Sequence, residues 1–237
     1  MTCKESQNLE TLILDGCDEL EELPRDIRKM VSIKYFWITT KQTCLPTNEI
    51  MSMSSLRGLG FSKCPGLESF PEGIQRLTTL RRLSFSYCES LISLPQGLKH
   101  LTALERLEIW RCKKVNLMEV EDYPTRLRSF TIGFSPKLVT LPQWLIQSAT
   151  TLQFLQICWC ENLAALPEWL PNLTSLQNLK ILNCPKLSSL PEGMGLLTAL
   201  RDLEIGGCGE LSKNYEREVG VEWPKIKHIP QIQITQW

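Results

Sequence analysis

The chain has very little to build a catalytic centre from. Its 237 residues include two histidines, His100 and His228, far apart in sequence. It holds no G-x-x-x-x-G-K-[ST] phosphate loop, no G-x-G-x-x-G turn, no H-E-x-x-H pair and no G-x-S-x-G elbow. Its carboxylates are scattered, without the paired spacing that glycoside hydrolysis needs. Net charge is missing as well: 26 Lys and Arg stand against 26 Asp and Glu. A global pull toward nucleic acid or anionic membrane is therefore excluded, and only local charge patterning can matter. No apolar run approaches the roughly 18 residues that span a bilayer. The start, Met1 to Asn8, lacks the basic and apolar segments of a secretory leader. The sequon Asn172-Leu173-Thr174 carries little weight, since one match is expected by chance in a chain of this length.

What the sequence does have is a period. Leu80-x-x-Leu83-x-Phe85-x-x-Cys88-x-x-Leu91-x-x-Leu94-Pro95 returns as Leu176-x-x-Leu179-x-Ile181-x-x-Cys184-x-x-Leu187-x-x-Leu190-Pro191. The unit opens at Leu9, Ile33, Leu56, Leu80, Leu104, Leu127, Leu152, Leu176 and Leu200, in steps of 23 to 25 residues. A weaker tenth copy, Ile229-x-x-Ile232-x-Ile234, follows. This is the signature of leucine-rich repeats. The alternating L-x-L core predicts a short strand per repeat, and neighbouring repeats pair these strands in parallel. The fold class expected is therefore an α/β leucine-rich-repeat solenoid. Its concave parallel sheet has about ten strands and spans roughly 45 Å. Its convex side is irregular or short-helical. The expected organisation is one domain over 1–237, with repeats in 9–211 and a C-terminal cap and last strand in 212–237.

Cysteines 17, 64, 88, 112, 160, 184 and 208 all take the N/C position of the repeat. There the side chain points inward and satisfies backbone groups of the turn. Thiols spaced one per repeat do not form a tetrahedral zinc cluster. They need no disulfides either, and the expectation is a reduced, intracellular protein. Cys3, Cys44 and Cys158 lie off this ladder. Cys158, on a strand beside Trp159, is expected to face outward; it is the best candidate for a reactive thiol, and the alternative is a plain surface cysteine. Three repeats are irregular. The second carries Lys41 at the ladder position and Tyr35 and Trp37 in its strand, the fifth lacks Leu-Pro at Val115–Glu119, and the sixth has Ser135 for cysteine. The first repeat opens with almost nothing before it, which suggests an upstream domain over its apolar edge. At the other end Trp223, Ile226 and Trp237 are expected to close the core, after a charged convex segment from Lys213 to Glu218.

Residues flanking the L-x-L leucines are expected on the concave face. Arg82, Arg106, Trp110 and Phe154 fall there. Tyr87, Arg111, Phe134 and Trp159 form a ladder at the last concave position of four repeats. Repeats three to six place seven basic residues on this face against Glu105 and Glu108. Trp, Tyr and Arg dominate interface hot spots, so these residues are the expected protein-binding site. The alternative is that the aromatics pack over one another and only cover the core.

The unit Leu101-Thr102-Ala103-Leu104, repeated at Leu173–Leu176 and Leu197–Leu200, is joined to Leu94-Pro95-Gln96-Gly97-Leu98 and Leu190-Pro191-Glu192-Gly193-Met194. With the tail Glu222-Trp223-Pro224-Lys225-Ile226-Lys227-His228-Ile229-Pro230, it resembles the repeat region of plant intracellular nucleotide-binding disease-resistance proteins of the coiled-coil type. The resemblance covers the whole chain. It implies a cytoplasmic, non-enzymatic arm that recognises a pathogen effector or guarded host protein and restrains an upstream nucleotide-binding domain. ADP or ATP would bind only in that upstream domain, so no cofactor is expected here, and neither nucleic acid nor membrane is an expected partner. Two other readings are the substrate-recognition repeats of an F-box-type ubiquitin ligase, which would need an F-box, and a free-standing repeat adaptor. Plant receptor-kinase ectodomains fit poorly, because they carry Asn at the ladder position and cysteine caps.

Overall fold

The computed structural model describes residues 9–14, 27, 29–41, 50–70, 73–118 and 122–236. The described residues form ten strands, which fall into two compact units, Met1–Pro124 and Thr125–Trp237. Within each unit neighbouring strands pair in parallel and in sequence order. The first unit holds β1 (Thr11–Leu14), β2 (Tyr35–Ile38), β3 (Gly58–Ser62), β4 (Arg82–Ser86) and β5 (Arg106–Trp110). The second holds β6 (Ser129–Gly133), β7 (Phe154–Cys158), β8 (Asn178–Leu182), β9 (Asp202–Gly206) and β10 (Gln231–Thr235). The fold is a leucine-rich-repeat solenoid, with the expected strand in each repeat.

Alternation sets which side chains go inside. In β4 the pattern puts Leu83 and Phe85 in the interior, both fully buried, and leaves Arg82, Ser84 and Ser86 half-buried on the open face. The same parity holds in β5, where Leu107 and Ile109 are buried. Register is fixed by a repeated hydrogen bond at the strand entry. The Arg57 carbonyl accepts from the amides of both Arg81 and Arg82, at 2.8 and 2.9 Å, and Arg81 does the same for Glu105 and Arg106. In the second unit Arg128, Gln153 and Gln177 play this part for the strand that follows. A slip of one residue would turn every leucine outward, so the hydrophobic pattern and these bonds select the same pairing.

Among the described residues the return side of several repeats is a short 3-10 turn, as at Ile74–Arg76, Leu98–His100 and Leu170–Asn172. Ile74, Leu98 and Leu170 are fully buried and close the interior from that side. Gly97 precedes one such turn with φ 85°, a left-handed conformation that favours glycine, which explains the Pro-x-Gly step there. In the first unit Phe61 and Phe85 stack at 5.6 Å, and Phe70 meets both edge-on. In the second unit Trp144 packs edge-on against Phe130.

The cysteine ladder behaves as the repeat predicts. Cys64, Cys88, Cys112, Cys160, Cys184 and Cys208 are buried and free. Each thiol donates to the carbonyl two residues before it, at 3.3 to 3.6 Å. Cys88 also reaches Phe61 of the preceding repeat at 3.7 Å, and Cys208 reaches Ile181 at 3.6 Å. The neighbouring Cys112 thiol and burial push Cys88 up to about 12, and Cys160 and burial do the same to Cys184. Cys3, Cys17 and Cys44 lie outside the described residues. Cys158 corrects an expectation: it is 2% exposed, not outward and accessible. It stands at the open-face parity of β7, but the Gln156 amide donates to its Sγ at 3.2 Å, and burial raises its pKa. A buried, largely protonated thiol is a poor nucleophile.

The C-terminal segment is more deeply packed than its charges suggest. Glu210–Asn214 is a short α-helix, and Tyr215 just after it is fully buried. Its hydroxyl accepts a hydrogen bond from the Leu190 amide at 3.3 Å. Ile226 is fully buried as expected, Trp223 is only half-buried, and Trp237 lies outside the described residues. Lys225 pairs with Glu192 at 2.6 Å and with Glu222, which ties the tail to the preceding turn.

Two substitutions test this packing. Ser135 is 3% exposed, and its hydroxyl has no hydrogen-bond partner among the described residues. Ser135→Cys restores the weaker polar group that the ladder accommodates. It should raise unfolding stability by about 1 kcal/mol in chemical denaturation, the cost of an unsatisfied buried hydroxyl. Tyr215→Phe leaves the Leu190 amide unpaired and should lower stability by about 1–3 kcal/mol. Tyr215→Ala should cost more, about 3–5 kcal/mol, through the cavity it leaves.

Candidate protein-recognition surface

The open face of the first unit can be read in rows across the strands. One row runs Tyr35, Gly58, Arg82, Arg106, and the next runs Ile13, Trp37, Gly60, Ser84, Glu108. A third joins Ser62, Ser86 and Trp110. Arg82 and Arg106 are thus register partners, with backbones about 4.8 Å apart. Arg106 is exposed and Arg82 half-buried, and among the described residues neither forms a salt bridge. Arg81 lies at their side, 61% exposed and 3.9 Å from Glu105. The basic excess expected on this face is therefore concentrated at the strand entries.

The rings of β2 lie over the glycines of β3. A Cβ added at Gly60 would stand 2.5 Å from the Trp37 ring, and one at Gly58 would stand 2.8 Å from the Tyr35 ring. Tyr35 and Trp37 stack on each other at 5.8 Å. Glycine inside a strand commonly marks such a close approach. The Gly58-Leu59-Gly60 step was therefore the sequence signal for this aromatic platform, which the expected site residues do not include.

A second feature of the surface comes from the backbone. Lys63, Tyr87, Arg111, Phe134, Trp159 and Asn183 each immediately precede the ladder position, and each has φ between 51° and 56°. Residues other than glycine seldom adopt this left-handed region. The turn re-aims the amide at the next repeat: Tyr87 donates to Trp110 at 2.8 Å, and Trp159 donates to Leu182 at 2.8 Å. It also swings the side chain off the strand axis, so the predicted stripe sits on a turn and not on the strand. Within the first unit Arg111 lies over the Tyr87 ring at 5.2 Å, a cation–π contact. Within the second, Phe134 and Trp159 are parallel, 5.3 Å apart, with Trp159 47% exposed. Phe154 is half-buried in β7, in register with Ser129 and Asn178. Further along the second unit, charges are matched internally: Lys180 meets Glu204 and Asn178 meets Asp202, each at 2.6 Å.

A profile of the leucine-rich repeat region matches residues 4–163. The chain belongs to the leucine-rich repeat family. Comparison with curated proteins gives no match. Among solved structures it is similar to the leucine-rich repeat domain of the type III effector XopL, with TM-score 0.66, 21% identity, and coverage of 95% of this chain and 76% of that one. It is also similar to a leucine-rich repeat protein of Leptospira interrogans, with TM-score 0.63, 18% identity, and coverage of 98% of this chain and 62% of that one. At these identities the likeness is one of fold. Leucine-rich repeat domains in general are non-enzymatic modules that bind proteins on an extended surface. Among the described residues, no helix is long and apolar enough to cross a membrane.

The left-handed turn yields a direct test at Lys63, which is exposed. Lys63→Gly relieves a backbone cost of about 1–2 kcal/mol, partly offset by about 0.5–1 kcal/mol of glycine entropy. Lys63→Val puts a β-branched side chain at the same φ. The glycine variant should be at least as stable as the parent, and the valine variant about 1 kcal/mol or more below it, by denaturant midpoint.

Proposed function

We propose that this leucine-rich-repeat region is the sensing and autoinhibitory arm of a plant intracellular immune receptor. In that role it engages a pathogen effector or a guarded host protein, and it restrains an upstream nucleotide-binding domain. The observation that carries protein recognition is the uneven open face. Arg82 and Arg106 stand side by side without a counter-ion among the described residues, next to Tyr87–Arg111, while in the second unit Lys180 and Asn178 meet their own partners. Like charges held together on a rigid sheet favour an anionic partner. The receptor assignment is supported by the Leu-Pro-x-Gly repeats and by the tail from Glu222 to Pro230. The arm does its work by binding. It acts in the cytoplasm, and ADP or ATP belongs to the upstream domain alone.

Arg82, Tyr87, Arg106, Trp110, Arg111, Phe134, Phe154 and Trp159 are the proposed contact residues. The triple variant Arg82→Glu, Arg106→Glu, Arg111→Glu should lower partner affinity by at least about a hundredfold, since hot-spot arginines contribute about 2 kcal/mol or more each. Affinity purification of the natural complex, with wild type and triple variant side by side, checks this. Unchanged recovery sinks the surface. An upstream reading frame without a Gly-Lys-Thr phosphate loop sinks the receptor assignment.

A further inference from the structure

Beside Trp37 the open face of the first unit drops into a hollow of about 420 Å³. Ile13 and Trp37 form its apolar side, and Ser62, Ser84 and Ser86 line it across β3 and β4. Ile13 is 62% exposed, an apolar side chain left in water next to an indole. The Ser86 hydroxyl is spent on the Phe61 carbonyl at 3.5 Å. Those of Ser62 and Ser84 make no hydrogen bond among the described residues. On the next strand Glu108 and Trp110 are the register partners of Ser84 and Ser86. The hollow is thus a short trough that crosses the open face from β1 to β4, also lined by Ile38 and Phe61, and Glu108 and Trp110 lie on the strand beyond its serine side.

Arg82 lies two residues before Ser84 on the same face of β4, a step of about 6.6–6.8 Å along a strand. An extended peptide has the same step between alternate side chains. From this match we propose that the trough binds an extended peptide segment of a partner protein. That segment carries an aromatic residue and, two positions away, an aspartate or glutamate. The aromatic ring seats against Trp37 and Ile13 over the serines, and the carboxylate meets Arg82 and Arg106. The Ser62 and Ser84 hydroxyls are free to bond the peptide backbone between them. Charge decides the occupant: two adjacent guanidinium groups call for an anion, and Glu108 at the far side disfavours a second carboxylate in the aromatic seat. This inference rests on the reading of the chain as a protein-recognition module and specifies what that module reads.

The test titrates the isotopically labelled full chain with terminally blocked pentapeptides, Gly-Glu-Ser-Phe-Gly and its reverse, followed by nuclear magnetic resonance. At least one order should give saturable shifts at the Trp37 indole and the Ser84 and Ser86 amides. Replacing the peptide glutamate by lysine, or the phenylalanine by alanine, should weaken binding at least tenfold. Ser84→Trp, which fills the seat, should remove the shifts, and Arg82→Gln, a milder change, should weaken them severalfold. Equal shifts with the lysine or alanine peptide, shifts only around Phe134 and Trp159, or none at all overturn the proposal. Binding of the natural partner that survives Ser84→Trp but not the triple arginine variant also overturns it, while leaving the protein-recognition reading intact.

Discussion

No repeat of this chain can bury its own leucines. Each contributes one strand, one short turn and a handful of apolar side chains, and the interior exists only where a neighbour covers them. The contact that makes stacking specific is the shared carbonyl at the strand entry. Arg57, Arg81, Arg128, Gln153 and Gln177 each accept two amides from the following repeat. That pair of bonds pins register, and register decides which side of each strand faces in. The stacked Phe61 and Phe85, the aligned thiols and the buried return turns all follow from repeats held in the same phase.

The same constraint shapes the surface. Once phase is fixed, residues at equal positions line up in rows, whatever their chemistry. Evenly spaced rows let Arg82 and Arg106 stand together, and they let Trp37 lie over a glycine of the adjacent strand. They also repeat the left-handed turn before the ladder position, from Lys63 to Asn183. The backbone cost recurs with the repeat because the turn's amide has one good acceptor, the end of the next strand. Function on such a scaffold is a matter of which side chains are placed on the rows, since the rows themselves are set by stacking.

Where the pattern breaks, its energetic logic shows. Ser135 takes a thiol's place and keeps an unsatisfied hydroxyl in the interior. Tyr215 looks like part of a charged surface segment, yet it fills the interior behind the last repeats and gives the Leu190 amide a partner. Cys158 has the parity of an outward residue and is nonetheless covered. In each case the deviation is local, and strand pairing within the second unit continues past it.

The period, the strand positions, the inward leucines and the thiol ladder are legible in the order of residues alone. Those properties depend on residues near one another in the chain and on a repeat that copies each decision many times. That order also placed Arg82, Arg106, Trp110 and Phe154 on strand faces, because alternation is a local rule. Tertiary structure alone decided what touches what across repeats: Trp37 over Gly60, Arg111 over Tyr87, Phe134 against Trp159, and the burial of Cys158 and Tyr215. Such contacts join residues about two dozen positions apart, and they depend on side-chain rotamers and on a turn whose φ no hydrophobic pattern encodes. Parity says which face a residue leaves from, and only packing says whether solvent reaches it.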